Sequence, residues 1–339
     1  MRNLWVKAVR LLERGESFVL ATVIRTRGST PRKAGSRMIV CRNGDIVGSL
    51  GGGCVEGDVW SAATEMLKRG NPATRKQYHL NEPVESPHGM ICGGTMEFLL
   101  EPVDRPDEFF PIARAVLAAI EGGAPVSVAT GISPGNIGKK SVRPLDREAL
   151  RRTPESNPHL DADSGTFIEF HRPLPSVLFM GGGHIAKATE SFAGPLGFRF
   201  SVIDDRPLFA NRDRFLEADD ILVREFESAF DDDPVDADTS IVVATRGHRY
   251  DDIALEAAIR TPAKYVGLVS SRRKWVLLRS KLLERGLPEN RVGEIHAPIG
   301  LDIGSRSPEG IALSILAEIV AFRNGRSGKP LKYDPGMET

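Results

Sequence analysis

The sequence predicts an α/β protein in two parts: an N-terminal α+β domain, then a C-terminal domain built on a parallel sheet. Three observations predict it. From Ser176 onward, short apolar runs alternate regularly with helical patterns, which parallel strands joined by crossover helices produce. Before Arg172, strand and helix patterns are mixed without that alternation. Between the halves stands Arg172-Pro173-Leu174-Pro175, which reads as a linker. The expected divisions are 1–172, 173–325 and a Gly, Lys and Pro-rich tail, 326–339.

In the first half, Trp5, Val6, Val9, Leu11 and Leu12 recur at helical spacing and stop at Gly15. Phe18–Ile24 is a β-rich run. Asn43-Gly44 joins Arg37–Arg42 to Asp45–Ser49 as a hairpin. Val55–Arg69 reads as a helix stopped by Gly70-Asn71-Pro72. Thr95–Leu100 reads as a strand closed by Glu101-Pro102, and Pro106–Glu121 as a helix ended by Gly122-Gly123. Val126–Thr130 and Thr166–Phe170 read as strands. The polar stretch Gly131–Gly165 between them reads as a long flexible loop.

In the second half, the apolar strand Val177–Met180 runs straight into Gly181-x-Gly183-x-x-Ala186 and a helix reaching Leu196. That fits the dinucleotide-binding turn of a Rossmann-like domain, with a structural turn that binds nothing as the alternative. Gly181 permits the tight turn, Gly183 lets a phosphate approach the backbone, and Ala186 lets the helix pack on the strand. Free N–H groups at the helix start favour an anion. Asp204 ends the next strand, at about the ~20-residue distance where an acid meets a ribose hydroxyl, with Arg206 close behind. Strands are also expected at Phe200–Ile203, Ser240–Ala244 and Tyr265–Val269, and helices at Asp251–Arg260, Arg273–Arg285 and Pro308–Arg323. Ser271 and Arg272 follow a strand end, where a phosphate contact or a solvated helix start both fit. His184 and His248 are candidate acids, bases or ligands, or polar packing residues.

Leu50-Gly51-Gly52-Gly53-Cys54-Val55-Glu56 is the most unusual segment. Its glycines bring backbone close to a neighbour, and Cys54 sits where a helix begins. A helix N-terminus stabilises a thiolate. That suits a nucleophile, a sulfur carrier or a soft-metal ligand, while a small residue at a tight turn fits equally. Cys92-Gly93-Gly94 repeats the theme, and Cys41 reads as strand packing. Ser29, Thr30 and Arg32 lie in a Gly- and base-rich turn that suits a phosphate nest or a plain solvated turn. No HExxH or Walker A pattern is present.

Composition narrows the partners. Lys+Arg and Asp+Glu are equal at 45 each in 339 residues, which argues against electrostatic binding of nucleic acid or acidic membrane. No apolar run approaches the ~20 residues of a membrane span, and the charged start lacks a secretory pattern. The expected location is the cytoplasm, with the three cysteines as thiols.

Taken in order, the motifs resemble the xanthine dehydrogenase accessory factor family (XdhC/CoxI). The matching residues are Gly28-Ser29-Thr30-Pro31-Arg32, Gly51–Glu56, Cys92-Gly93-Gly94 and Gly181–Ala186. Ala21–Ile24, Val202–Arg206, Thr245–His248, Tyr265-Val266-Gly267, Ser271–Lys274 and Pro298–Gly304 complete the set, while Ser270 and Gly310 depart from it. The resemblance implies a chaperone-like protein that binds molybdenum cofactor, as molybdopterin or its dinucleotide form. Such a protein supports the cofactor's sulfuration and its insertion into a xanthine dehydrogenase-type hydroxylase. It implies cofactor contacts at Gly181, Gly183, His184, Ile185, Asp204, Arg206, Ser271 and Arg272. It implies others at Ser29, Thr30, Arg32, Gly52, Gly53 and Cys54. Cys54 and Cys92 become molybdenum ligands or a sulfur relay. A cysteine desulfurase is a further partner, and a homodimer is expected. Catalysis by the chain itself is not implied. Two alternatives stay open: an NAD(P)-dependent oxidoreductase, carried by the glycine turn and Asp204, and a pure interaction protein that docks on the hydroxylase with the Rossmann half as a scaffold.

Overall fold

A computed structural model describes residues 2–80, 93–104, 106–146, 158–161, 163–232 and 235–332. The chain divides into two compact units, 1–173 and 174–339.

The first unit holds two antiparallel sheets. The five-stranded one has the order β3-β2-β1-β5-β4. Its strands are β1 (Phe18–Arg27), β2 (Arg37–Cys41), β3 (Ile46–Gly48), β4 (Thr74–His79) and β5 (Thr95–Val103). β1 is central, and its alternation decides the packing. Val19, Ala21 and Val23 meet Val55, Val59, Ala63 and Met66 of helix α2 (Gly53–Arg69) in one buried cluster. Phe18 points the other way and meets Phe109 edge-on, from helix α3 (Pro106–Ile120). Trp5, from helix α1 (Arg2–Glu13), stacks on the same ring. The hairpin at Asn43-Gly44 forms as expected, with Val40 opposite Ile46.

The second sheet has the order β7-β6-β9-β8, from β6 (Val126–Gly131), β7 (Lys140–Pro144), β8 (His159–Asp161) and β9 (Thr166–His171). Here the loop expected over 131–165 is corrected. β7 pairs with β6, and β8 with β9, so both flanks of that stretch are edge strands. Their polar sequences, such as Lys-Ser-Val-Arg-Pro, hid them. Residues 147–157 lie outside the described part. Pro102 does not close β5: it pairs opposite Val19, and the strand runs on to Val103.

Charged residues are buried between these strands. Arg37 of β2 pairs with Glu169 of β9, with side chains 5% and 2% exposed. Lys140 of β7 reaches Glu101 of β5 at 2.9 Å and the Thr130 hydroxyl at 2.9 Å. These pairs tie the two sheets together, since a lone buried charge would cost several kcal/mol. His171 lies beside them, edge-on to Trp5, and its Nε2 finds no partner among the described residues.

The second unit is a parallel sheet of order β12-β11-β10-β13-β14. Its strands are β10 (Ser176–Met180), β11 (Arg199–Asp204), β12 (Asp220–Val223), β13 (Thr239–Val243) and β14 (Tyr265–Leu268). β10 begins the domain and lies in the middle, so the strand order reverses between β10 and β13. Ligands of such sheets bind beyond the strand C-termini at that point. Helices α4 (His184–Ala193) and α8 (Pro308–Arg323) cover one face, through Ala186, Ala193, Ile315, Leu316 and Ile319. Helices α5 (His248–Ile259) and α6 (Arg272–Glu284) cover the other, through Ala254, Leu255, Ala258, Leu278 and Leu282. A short helix, α7 (Glu289–Gly293), precedes the last segment. Among the described residues, no helix is long and apolar enough to cross a membrane.

Burial, with the Arg37 and Lys140 cations nearby, pushes the His171 imidazole from 6.5 down to about 3. The ring is therefore neutral in the fold and gains a proton on unfolding. Its contribution is complete above about 6.5 and is lost as pH falls towards about 3. Denaturant midpoints at stepped pH should drop across that window, and His171→Phe should flatten the drop. Parallel curves for the two proteins would contradict this assignment.

Candidate functional site

In the second unit the glycine turn is built by close backbone approach. Gly181 has φ 116°, and a Cβ there would lie 2.3 Å from the Ala244 carbonyl oxygen, just beyond β13. Gly182 is equally confined, by the Phe209 carbonyl. Gly183 differs. It has φ −74° and nothing within 4 Å of a Cβ position. It is the N-cap of α4 and gives no side-chain cap, so the first turn presents bare N–H groups. His184, the first residue of α4, is exposed, whereas Ile185 is half-buried against the core. His248 opens α5, and its side chain lies outside the described part.

Asp204 does something other than expected. It is fully buried, and its carboxylate accepts hydrogen bonds from the Gly182 N–H at 2.8 Å and from the Arg206 N–H, Nε and Nη2 at 2.8–3.1 Å. Burial alone would push this carboxyl up. The Arg206 side chain and the Gly182 N–H outweigh it and hold the group below its ordinary value. A ribose hydroxyl could reach Asp204 only by displacing one of these donors. Arg206 in turn lies 3.7 Å over the Phe209 ring. Arg214, which sequence reasoning missed, donates from Nε to the Gly182 carbonyl at 2.9 Å. It is remote in sequence and follows no motif.

Ser271 caps α6, accepting from the Lys274 N–H at 3.2 Å. Arg272 lines a cavity of about 330 Å³ with Gly300, Asp302, Gly304, Ser305 and Ile311. Its far wall is held by Glu318, which accepts from the Gly300 N–H and lies 2.7 Å from His296 Nδ1. Burial works against the Glu318 carboxylate, but these donors hold it below its ordinary value.

In the first unit three glycine segments, distant in sequence, converge. A Cβ on Gly51 would meet the Pro31 ring at 2.7 Å and Arg32 at 3.4 Å. A Cβ on Gly94 would meet the Ser29 carbonyl oxygen at 2.2 Å and the Thr30 methyl at 2.8 Å. Ser29, Thr30 and Arg32 are thus brought beside Gly51-Gly52-Gly53 and Gly93-Gly94. Gly52 and Gly53 have φ 75° and 69°, with open space where a Cβ would stand. Cys54 is the second residue of α2, and its side chain lies outside the described part, as does Cys92. Cys41 is buried in β2, and burial pushes its thiol up. Among the described residues, no group of three or more His, Cys, Asp or Glu could hold a metal ion.

Glu56 organises this loop. Its Oε2 accepts from the Leu50 N–H at 2.8 Å, the Gly52 N–H at 3.0 Å and the Ser49 hydroxyl at 3.0 Å. Burial opposes the charge, but these donors hold the carboxyl below its ordinary value. The nest formed by those N–H groups is therefore filled from within. A capping-box search looks three residues along, and Ser49 and Glu56 are seven apart, so sequence reading missed the anchor.

A family model described as the XdhC Rossmann domain matches residues 177–319, and one described as the XdhC and CoxI family matches residues 11–79. The chain belongs to the XdhC and CoxI family. Relatives of this XdhC-type chain include a Bacillus subtilis protein named as a component of a probable xanthine dehydrogenase, 29% identical, covering 95% of this chain and 98% of that protein. "Molybdenum cofactor insertion chaperone PaoD" of Escherichia coli is 25% identical, covering 93% and 86%. "Uncharacterized protein YqeB" of Escherichia coli is 26% identical over 96% of this chain, which spans only about half, 47%, of its length. A crystal structure described as a xanthine dehydrogenase from Bacillus halodurans superposes with TM-score 0.76 at 23% identity, covering 96% of this chain and 98% of that one. That likeness shows the shared fold alone.

The two glycines of the turn should part on substitution. Gly181→Ala meets both a forbidden φ and the Ala244 carbonyl, and should cost at least about 2 kcal/mol. Gly183→Val enters open space and should cost about 1 kcal/mol or less. Denaturant unfolding of both variants measures this; equal losses would contradict the geometry.

Proposed function

We propose that this XdhC-type chain is a molybdenum cofactor-binding accessory protein. It supports sulfuration of the cofactor and its insertion into a xanthine dehydrogenase-type hydroxylase. The observation that carries the reading is the open space at Gly183, at the start of an uncapped helix beyond the middle strand. A phosphate of molybdopterin, or the diphosphate of its dinucleotide form, fits there: bare N–H groups and a helix dipole favour an anion, and no side chain blocks the approach. The relative named a molybdenum cofactor insertion chaperone supports the same cargo.

Within this reading, Gly181, Gly183, His184, Ile185 and Arg206 surround the phosphate end, with Ser271 and Arg272 across the sheet. Ser29, Thr30, Arg32, Gly52, Gly53 and Cys54 form the second contact region. Cys54 and Cys92 supply thiolates for molybdenum or sulfur. The cofactor would bring the metal and its dithiolene sulfurs; the chain would hold the anion and offer a thiolate at the head of α2, where the dipole favours it. A cysteine desulfurase donating the sulfur, and assembly as a homodimer, complete the proposal.

The test is activation of an apo-hydroxylase by this chain, with the terminal sulfur of the client's cofactor measured alongside. Cys54→Ser should lower activation by at least about tenfold, the scale for losing a metal-site partner. Cys41→Ala should retain it, because that thiol is sealed in a strand. Thermal unfolding controls for folding. Full activation by Cys54→Ser would remove the thiolate from the mechanism.

A further inference from the structure

An ion pair crosses the end of the parallel sheet, and the reading above gives it no part. β10 is hydrogen-bonded to β11 on one side and β13 on the other. Asp205 is the first residue after β11, and Arg246 lies just beyond the end of β13. Their side chains meet in two parallel hydrogen bonds of 2.7 Å, Nη1 to Oδ1 and Nη2 to Oδ2. The pair therefore joins the two strands that flank β10, at the end where Gly181 opens the glycine turn. Arg246 also lies 3.9 Å over the Tyr250 ring and directly precedes Gly247, the N-cap of α5. A Cβ on Gly247 would meet nothing within 4 Å, as at Gly183. The Arg246 side chain is 29% exposed, so a ligand can reach it.

We infer that Asp205 and Arg246 are the residues that read a ribosyl diphosphate in this crevice. Arg246 turns from Asp205 to the diphosphate, and Asp205 accepts the ribose hydroxyls. The inference rests on the nucleotide-binding reading of the Rossmann half. Its physical ground is that neither charge is left alone in either state. Without ligand the two neutralise each other in fork geometry. With ligand, Arg246 exchanges one anion for another, and Asp205 accepts the ribose hydroxyls while Arg206 Nε stays 3.7 Å from its Oδ1. A diphosphate without a ribose leaves the largely buried Asp205 carboxylate with only its longer contact to Arg206, 3.7 Å, so it recovers less. The arrangement also accounts for Asp204, which is spent on the Gly182 N–H and Arg206 and is not free to read a ligand.

Calorimetry on the full chain with pyrophosphate, ADP and CDP tests this. Arg246→Gln should weaken all three by about tenfold, the worth of a charge-assisted hydrogen bond. Asp205→Asn frees Arg246 and removes the ribose acceptor. It should tighten pyrophosphate and cut the preference for ADP and CDP over pyrophosphate by about tenfold. Arg246→Lys keeps the charge without the fork, and should fall between wild type and Arg246→Gln; it serves if the glutamine variant fails to fold. If wild type binds and Arg246→Gln or Arg246→Lys binds as tightly, the pair is a strut and the inference falls alone. The same holds if Asp205→Asn weakens pyrophosphate. If wild type binds none of the three, the nucleotide reading falls and takes the inference with it.

Discussion

The approach of the Gly181 backbone to the Ala244 carbonyl sets the geometry of the whole second unit. It requires a residue without a Cβ, since that atom would stand 2.3 Å from the oxygen. It brings the exit of β10 against the exit of β13, where the strand order reverses. Asp204 then locks the turn by taking the Gly182 N–H, and Arg214 locks it from the carbonyl side. What is left unlocked is Gly183 and the head of α4. A turn this constrained at two glycines and this open at the third is a rigid frame around an open approach, which preorganises an anion site at little cost.

The first unit uses the same device with different parts. Three glycine-bearing turns touch through positions where no side chain would fit, and a carboxylate, Glu56, ties one of them to the helix it precedes. Here the anion is internal. The loop is held by the protein's own charge, so the head of α2, with Cys54, is placed by Glu56 as much as by the glycines. The buried Arg37–Glu169 and Lys140–Glu101 pairs link the two sheets, alongside an apolar cluster at Ile24, Leu99, Ile132 and Phe167.

Much of this was legible in the sequence. The strongly periodic elements, β1, the Asn43-Gly44 hairpin, α2, β10 and α8, appear where the pattern places them, because apolar periodicity reports burial directly. The edge strands β4, β7 and β8 do not, since a strand with one wet edge and polar residues carries little alternation, and β12, Asp-Ile-Leu-Val, is too short to show a period. β4 reads Thr-Arg-Lys-Gln-Tyr-His and pairs with β5. The site was legible as glycine motifs but not as contacts. That Gly51 meets Pro31, or Gly94 meets Ser29, depends on the tertiary path between them. Asp204 sat at the right distance for a ribose, yet two adjacent aspartates share that distance, and only the structure tells which is turned inward.

Whether this chain holds molybdenum cofactor decides the functional reading as a whole. The most direct measurement is the molybdenum and pterin content, per protomer, of the full chain purified from a host that makes the cofactor. Both should copurify in similar proportion, and a matched host unable to make the cofactor should yield neither. Protein that folds and unfolds cooperatively but carries no pterin or molybdenum from either host would contradict the reading.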